Sequence, residues 1–198
     1  MRRAAGAAVL VSLLFAVAAL AAGTKVDDPN DTPGLLDVHE VRIEPGKVPE
    51  WTVITYPRWT VRQIWDRGWV LVRLDTFGDP EPDYFAAIRS NGSTLGALLW
   101  QDRPTTRPDL KMGHLSVWRN GGHQVSVRIP LARLKIGPKR SVYRWSVMTL
   151  FTGPTCRATC FDPVPDTSPA EEPLPSTSPS PSPSETPSTT PTEVPPSS

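Results

Sequence analysis

From Gly68 onward, apolar and polar positions alternate with a period of two. Val70, Val72 and Leu74 share one face, and Trp69, Leu71 and Arg73 share the other, which predicts a half-buried strand. Similar runs recur along the chain. Leu36, Val38, Val41 and Ile43 open one strand, and Glu50 to Tyr56, rich in β-branched residues, forms another. Asn91-Gly92 predicts a type I′ hairpin pairing Asp83–Ser90 with Ser93–Gln101. Asn120-Gly121-Gly122 predicts a second hairpin, with Val125, Val127 and Ile129 inward and Ser126 and Arg128 outward. Ser141 to Phe151 reads as a long closing strand with Tyr143, Trp145 and Val147 on one side. The segment around Trp59, Arg62 and Gln63 has helical spacing, but it is short and lies between Pro57 and Gly68, so it reads as a loop or edge segment. Up to eight short strands with tight turns and no convincing helix predict an all-β fold, an antiparallel two-sheet β-sandwich of jelly-roll type.

The two ends depart from this pattern. Residues 1–23 open with Arg2 and Arg3, continue through an Ala-rich apolar run and finish in small residues, the three-part pattern of a secretory signal peptide. The run is short for a bilayer crossing, so the mature chain is expected to be secreted and to have no membrane span. Residues 162–198 are built from Pro, Ser, Thr and a few acids, and nearly lack large apolar side chains. That composition cannot repay the entropy of ordering and predicts a disordered tail. Residues 24–161 remain as one β-sandwich domain, large enough for a core of its own and expected to be monomeric. Cys156 and Cys160, four apart in an exported chain, are expected to bridge each other.

The chain has 21 basic and 20 acidic residues, with six of the acids after residue 161, so the domain is mildly basic beside an acidic tail. No concentrated basic stripe points to nucleic acid. No nucleophile elbow, zinc-binding helix motif or phosphate-cradling loop points to an enzyme. The spacing of Cys156 and Cys160 does not match redox or zinc motifs.

Two acid-rich stretches carry candidate chemistry. Asp27, Asp28 and Asp31 crowd the lead-in, and Asp75, Asp79 and Asp83 punctuate the first turn of the central stretch. Both allow two readings, side chains that bond their own turn or hard oxygen ligands for calcium, which needs six to eight oxygens. Phe77 occupies a ligand slot in the second stretch, and its spacing departs from the EF-hand pattern. Trp51, Trp59 and Trp65, close to Arg62, are the aromatics nearest a polar, Arg-bearing segment and the candidates for ligand binding. Trp69, Trp100, Trp118 and Trp145 read as core or sheet-packing residues.

Ile129-Pro130-Leu131, Leu134 and Tyr143-Arg144-Trp145-Ser146-Val147 resemble the closing half of the DOMON-like and family-nine carbohydrate-binding-like β-sandwiches. The lead-in DDPNDTPGLLDVHEV and the turn DTFGDPEPDY are similar to those of a group of secreted actinobacterial proteins. The resemblance implies a two-sheet sandwich, an architecture in which sugar, haem or calcium is bound. Met112, Met148 and the three histidines do not form the axial pair that haem would require. The expected function is a non-catalytic binding module of the cell exterior for a glycan or cell-wall polymer. The alternative is a structural or interaction protein with no small ligand, its acidic loops pinned by calcium.

Overall fold

The computed structural model describes residues 23–79 and 81–175; the expected signal peptide, except residue 23, and the tail beyond residue 175 lie outside them. Eleven strands are present among the described residues, joined in one antiparallel sheet. The first arm holds β1 (Lys25–Asp27), β2 (Val38–Glu44), β3 (Glu50–Thr55) and, out of chain order, β8 (Gln124–Arg128). The path continues through β7 (Leu110–Trp118), β6 (Leu95–Gln101), β5 (Tyr84–Ser90), β4 (Gly68–Asp75), β9 (Val142–Thr152) and β10 (Thr159–Val164). A last strand, β11 (Ala170–Pro173), pairs with the N-terminal part of β9. No helix among these residues is long and apolar enough to cross a membrane.

The sheet bends at β7. Its first residues ladder to β6 and its last three, Ser116 to Trp118, ladder to β8. A register shift at Leu99/Trp100 and a positive φ of 126° at Gly113 fall within the β6–β7 ladder, where a bulge and a glycine increase curl. The observed ladders therefore join into one curled sheet, where two separate ones were expected. Inside the curl, Val70, Val72 and Leu74 pack with Val125, Val127 and Ile129, and with Tyr143, Trp145 and Val147, as period-two alternation predicts. Val38 and Val41 both face inward despite their odd spacing, because a register shift between Val38 and Glu40 inserts an extra residue. Ser126, expected outside, is buried and shares a hydrogen bond of 2.7 Å with Thr52 across the strands.

The hairpin at Asn91-Gly92 is present, but its turn is not type I′. Ser90 pairs with Leu95, leaving a four-residue loop in which Gly92 alone has positive φ and the Asn91 carboxamide accepts the Ser93 and Thr94 amides. Between Tyr56 and Gly68, Thr60 and Gln63 cap one another reciprocally: the Thr60 amide donates to Gln63 Oε1 and the Gln63 amide to Thr60 Oγ1. Ile64 is thereby held in the core and Trp65 outside it.

The ends of the curled sheet meet in a seam. The Val38 amide donates to Asp162 Oδ2 at 2.6 Å, Thr149 Oγ1 donates to the Leu36 carbonyl, and Thr24 Oγ1 donates to Glu172. The folded region therefore extends past residue 161, correcting the start of the expected tail. Asp162, Val164 and Glu172 are buried, and β10 and β11 both ladder to β9. The Pro-rich composition masked these strands because each is short and lies at a sheet edge, where proline is tolerated. Cys156 and Cys160 are disulfide-bonded and close the β9–β10 connection, as expected.

Candidate functional site

The four residues expected to bind a ligand are not brought together. Trp51 is fully buried beside Tyr143, and Trp59 is buried with its indole N–H on Thr55 Oγ1 and the Arg119 guanidinium 3.6 Å over its ring. Parity explains Trp51: it alternates in step with Val53 and Thr55, so it shares their inward face. Trp65 is exposed but lies against Gly92, where an added Cβ would come within 3.1 Å of the indole. Arg62 lines a separate hollow with Gln63, Arg67 and Phe151.

An aromatic surface exists elsewhere, on the outer face of β10, β9, β4, β5 and β6. The strand register places Phe161, Leu150, Trp69 and Arg89 in one row across this face. The next row carries Met148, Leu71, Ala87 and Leu98, and the third carries Ser146, Arg73, Phe85 and Trp100. Phe161 is 56% exposed and Trp69 37%. The Phe85 and Trp100 rings are nearly parallel, with centroids 6.3 Å apart, and Arg89 lies over Trp69. Trp69, Leu71, Phe85, Trp100 and Leu150 border a shallow hollow of about 380 Å³ with Asp109 at its rim.

Where Arg73 ends the aromatic rows, the same face opens into a larger, charged groove of about 590 Å³. It is bounded by Arg73, Asp75, Asp79, Arg144, Ser146 and Glu171. Arg144 is held between Glu171 at 3.1 Å and Asp75 at 3.9 Å, whereas no carboxylate among the described residues lies within 4.0 Å of the Arg73 guanidinium. Apolar area and polar donors and acceptors thus meet on one open face.

The acidic stretches resolve differently. Asp83 Oδ2 accepts the Thr76 amide at 2.6 Å, the Thr76 hydroxyl at 3.0 Å and the Phe77 amide at 3.0 Å. Asp75 Oδ1 accepts the Phe77 and Gly78 amides, and Asp79 is exposed at the groove. Asp75 and Asp83 hold the turn, and the three aspartates do not converge on a common point; among the described residues the converging group is elsewhere. Asp27 lies on the exposed side of β1, bonded to Lys25, because consecutive strand residues face opposite ways.

Asp28 and Asp31 come together with Asp162, which sequence reasoning had assigned to the tail. One carboxylate oxygen from each lies within 4.8 Å of the others. Asp28 and Asp162 are buried, and among the described residues Asp28 Oδ2 and Asp162 Oδ1 have no hydrogen-bond partner. Burial, then the charges of Asp162, Asp166, Asp31 and Asp37, pushes the Asp28 carboxyl up to about 7. Burial also pushes Asp162 up to about 6, opposed by the Val38 amide and reinforced by Asp37, Asp31 and Asp166. Burial raises Asp37 as well, against the Thr32 amide that it accepts. Among the described residues no cationic side chain lies within 4.0 Å of these carboxylates.

Comparison of the chain with protein-family models, with curated proteins and with solved structures found no match.

Proposed function

We propose that the chain is a non-catalytic binding module that takes a glycan or comparable extracellular polymer on the outer face of β9, β4, β5 and β6. The observation that carries this reading is the group of exposed and half-buried aromatics spread over this face, which ends at a groove of charged side chains. Flat apolar rings suit the C–H faces of a sugar, and fixed guanidinium and carboxylate groups suit its hydroxyls. Trp69, Phe85 and Trp100 form the platform, while Arg73, Asp79 and Glu171 supply the polar partners. The disulfide favours an exported chain, in keeping with the signal-peptide pattern of residues 1–23. The two arms of the curled sheet, facing one another across a single core, favour the two-sheet sandwich and the resemblance to carbohydrate-binding-like domains.

Calorimetric titration against neutral and anionic cell-wall polysaccharides, followed in parallel by tryptophan fluorescence, tests the reading. At least one polymer should bind. Trp69→Ala and Trp100→Ala should each weaken that binding about tenfold or more, with Trp65→Ala unchanged. Binding that survives both substitutions would remove the ligand from this face. No binding across the panel would transfer the protein to the structural reading.

A further inference from the structure

We propose that Asp28, Asp31 and Asp162 form a calcium site at the seam where the first and last strands of the sheet meet. The inference is independent of the ligand face, which lies on the outer side of other strands.

Three observations carry it. The first is convergence from distant parts of the chain: Asp28 follows β1, Asp31 lies in the loop leading to β2, and Asp162 sits on β10, yet one oxygen of each falls within 4.8 Å of the others. Oxygens about 2.4 Å from a common centre are at most about 4.8 Å apart, and 2.3–2.6 Å is the calcium–oxygen range. The second is that two buried carboxylate oxygens, Asp28 Oδ2 and Asp162 Oδ1, lack any hydrogen-bond partner among the described residues. Buried polar atoms are almost always satisfied, and a buried carboxylate left bare is costly. Asp162 is held by its other oxygen, which takes the Val38 amide, so its free oxygen is fixed in place.

The third is charge. Asp37 is buried close by, and among the described residues no Lys, Arg or His side chain pairs with the carboxylates of the cluster within 4.0 Å. Three converging carboxylates call for a divalent ion. An all-oxygen donor set excludes the soft metals that select sulfur or imidazole. Two ligands from the connection between β1 and β2 and one from β10 suit the irregular shell of calcium better than the strict octahedron of magnesium. Backbone carbonyls and water would complete the shell.

The test is calorimetric titration of the full chain with calcium chloride after EDTA treatment, together with thermal unfolding in EDTA and in millimolar calcium. One ion per chain should bind, and calcium should raise the midpoint by roughly 5 °C or more. Asp28→Asn and the exposed Asp31→Asn should each abolish the rise. In EDTA both should unfold at or above the parent's temperature, because repulsion is relieved. Asp79→Asn, outside the cluster, should keep the full response. The assignment is overturned if 10 mM calcium produces neither heat nor shift. It is also overturned if the shift survives in both Asp28→Asn and Asp31→Asn, or if magnesium acts as strongly as calcium.

Discussion

The two acid-rich stretches look alike in sequence and have opposite fates in the fold. In the turn from Asp75 to Asp83, the carboxylates are used by their own neighbourhood. Asp83 draws two backbone amides and a hydroxyl onto one oxygen, and Asp75 draws two more amides onto another. At the seam, the buried Asp28 and Asp162 each keep an oxygen with no hydrogen-bond partner and no cationic side chain within 4.0 Å among the described residues, whereas the bare oxygen of the turn, Asp75 Oδ2, faces the Arg144 guanidinium at 3.9 Å. An aspartate count therefore says little about a cation. What decides is whether local N–H groups reach the carboxylates first. A hairpin turn, whose amides point inward at close range, supplies several; the junction between distant strands, whose amides are mostly committed to ladders, supplies the Val38 amide to one oxygen of Asp162 and leaves the other bare.

The contrast can be broken most sharply at Asp83. Its replacement by alanine removes three hydrogen bonds to a charged acceptor, so urea unfolding should show a loss of about 3 kcal/mol. The loss should be the same in calcium and in EDTA; a loss that calcium repairs would make the turn a metal site after all.

The seam should instead respond to pH. Asp28 and Asp162 have folded pKa values of about 7 and about 6, above the roughly 3.9 of an unfolded aspartate. The folded state therefore holds protons that the unfolded state releases. Their stabilising contribution is complete below pH ~4 and is lost as pH rises towards 7. Thermal unfolding in EDTA should show the midpoint declining across that window, and the double substitution Asp28→Asn with Asp162→Asn should flatten the decline. A midpoint that rises through the same window would contradict the crowding of charges described above.

The smallest effect belongs to Asp27. It is exposed and, among the described residues, paired only with the exposed Lys25, so Asp27→Asn should change stability by less than about 0.5 kcal/mol and leave any calcium response intact.

Much of the sheet was legible in the sequence, because period-two runs and Gly-bearing turns are local signals. Val70, Val72 and Leu74, the hairpins at Gly92 and Gly121, and the closing strand through Tyr143, Trp145 and Val147 all stand where the pattern puts them. Alternation alone sorts residues onto two faces without saying which is inside. Trp69 correctly shares a face with Leu71 and Arg73, but its exposure follows only from where the curl places the core. For Trp51 the parity with Val53 was available and pointed inward; the neighbouring arginines outweighed it. Trp59 follows a strand end, and its burial depends on Arg119 and Gly122 from a distant hairpin. Asp162 was hidden more deeply, in a stretch whose prolines and acids resemble the segment after it. Only Phe161 and Val164 hinted at a strand there, and nothing local could pair it with Asp28.

The seam also bears on the order in which the chain folds. The hydrogen bonds that close it join residues 113, 124 and 148 positions apart, whereas the hairpins of β4, β5, β6 and β7 join near neighbours. Loop-closure entropy places such distant pairings late, after the hairpins have formed. Contacts absent from the folding transition state act almost wholly on the unfolding rate. A cation held by Asp28, Asp31 and Asp162 would therefore leave the speed of folding nearly untouched and lengthen the lifetime of the native state.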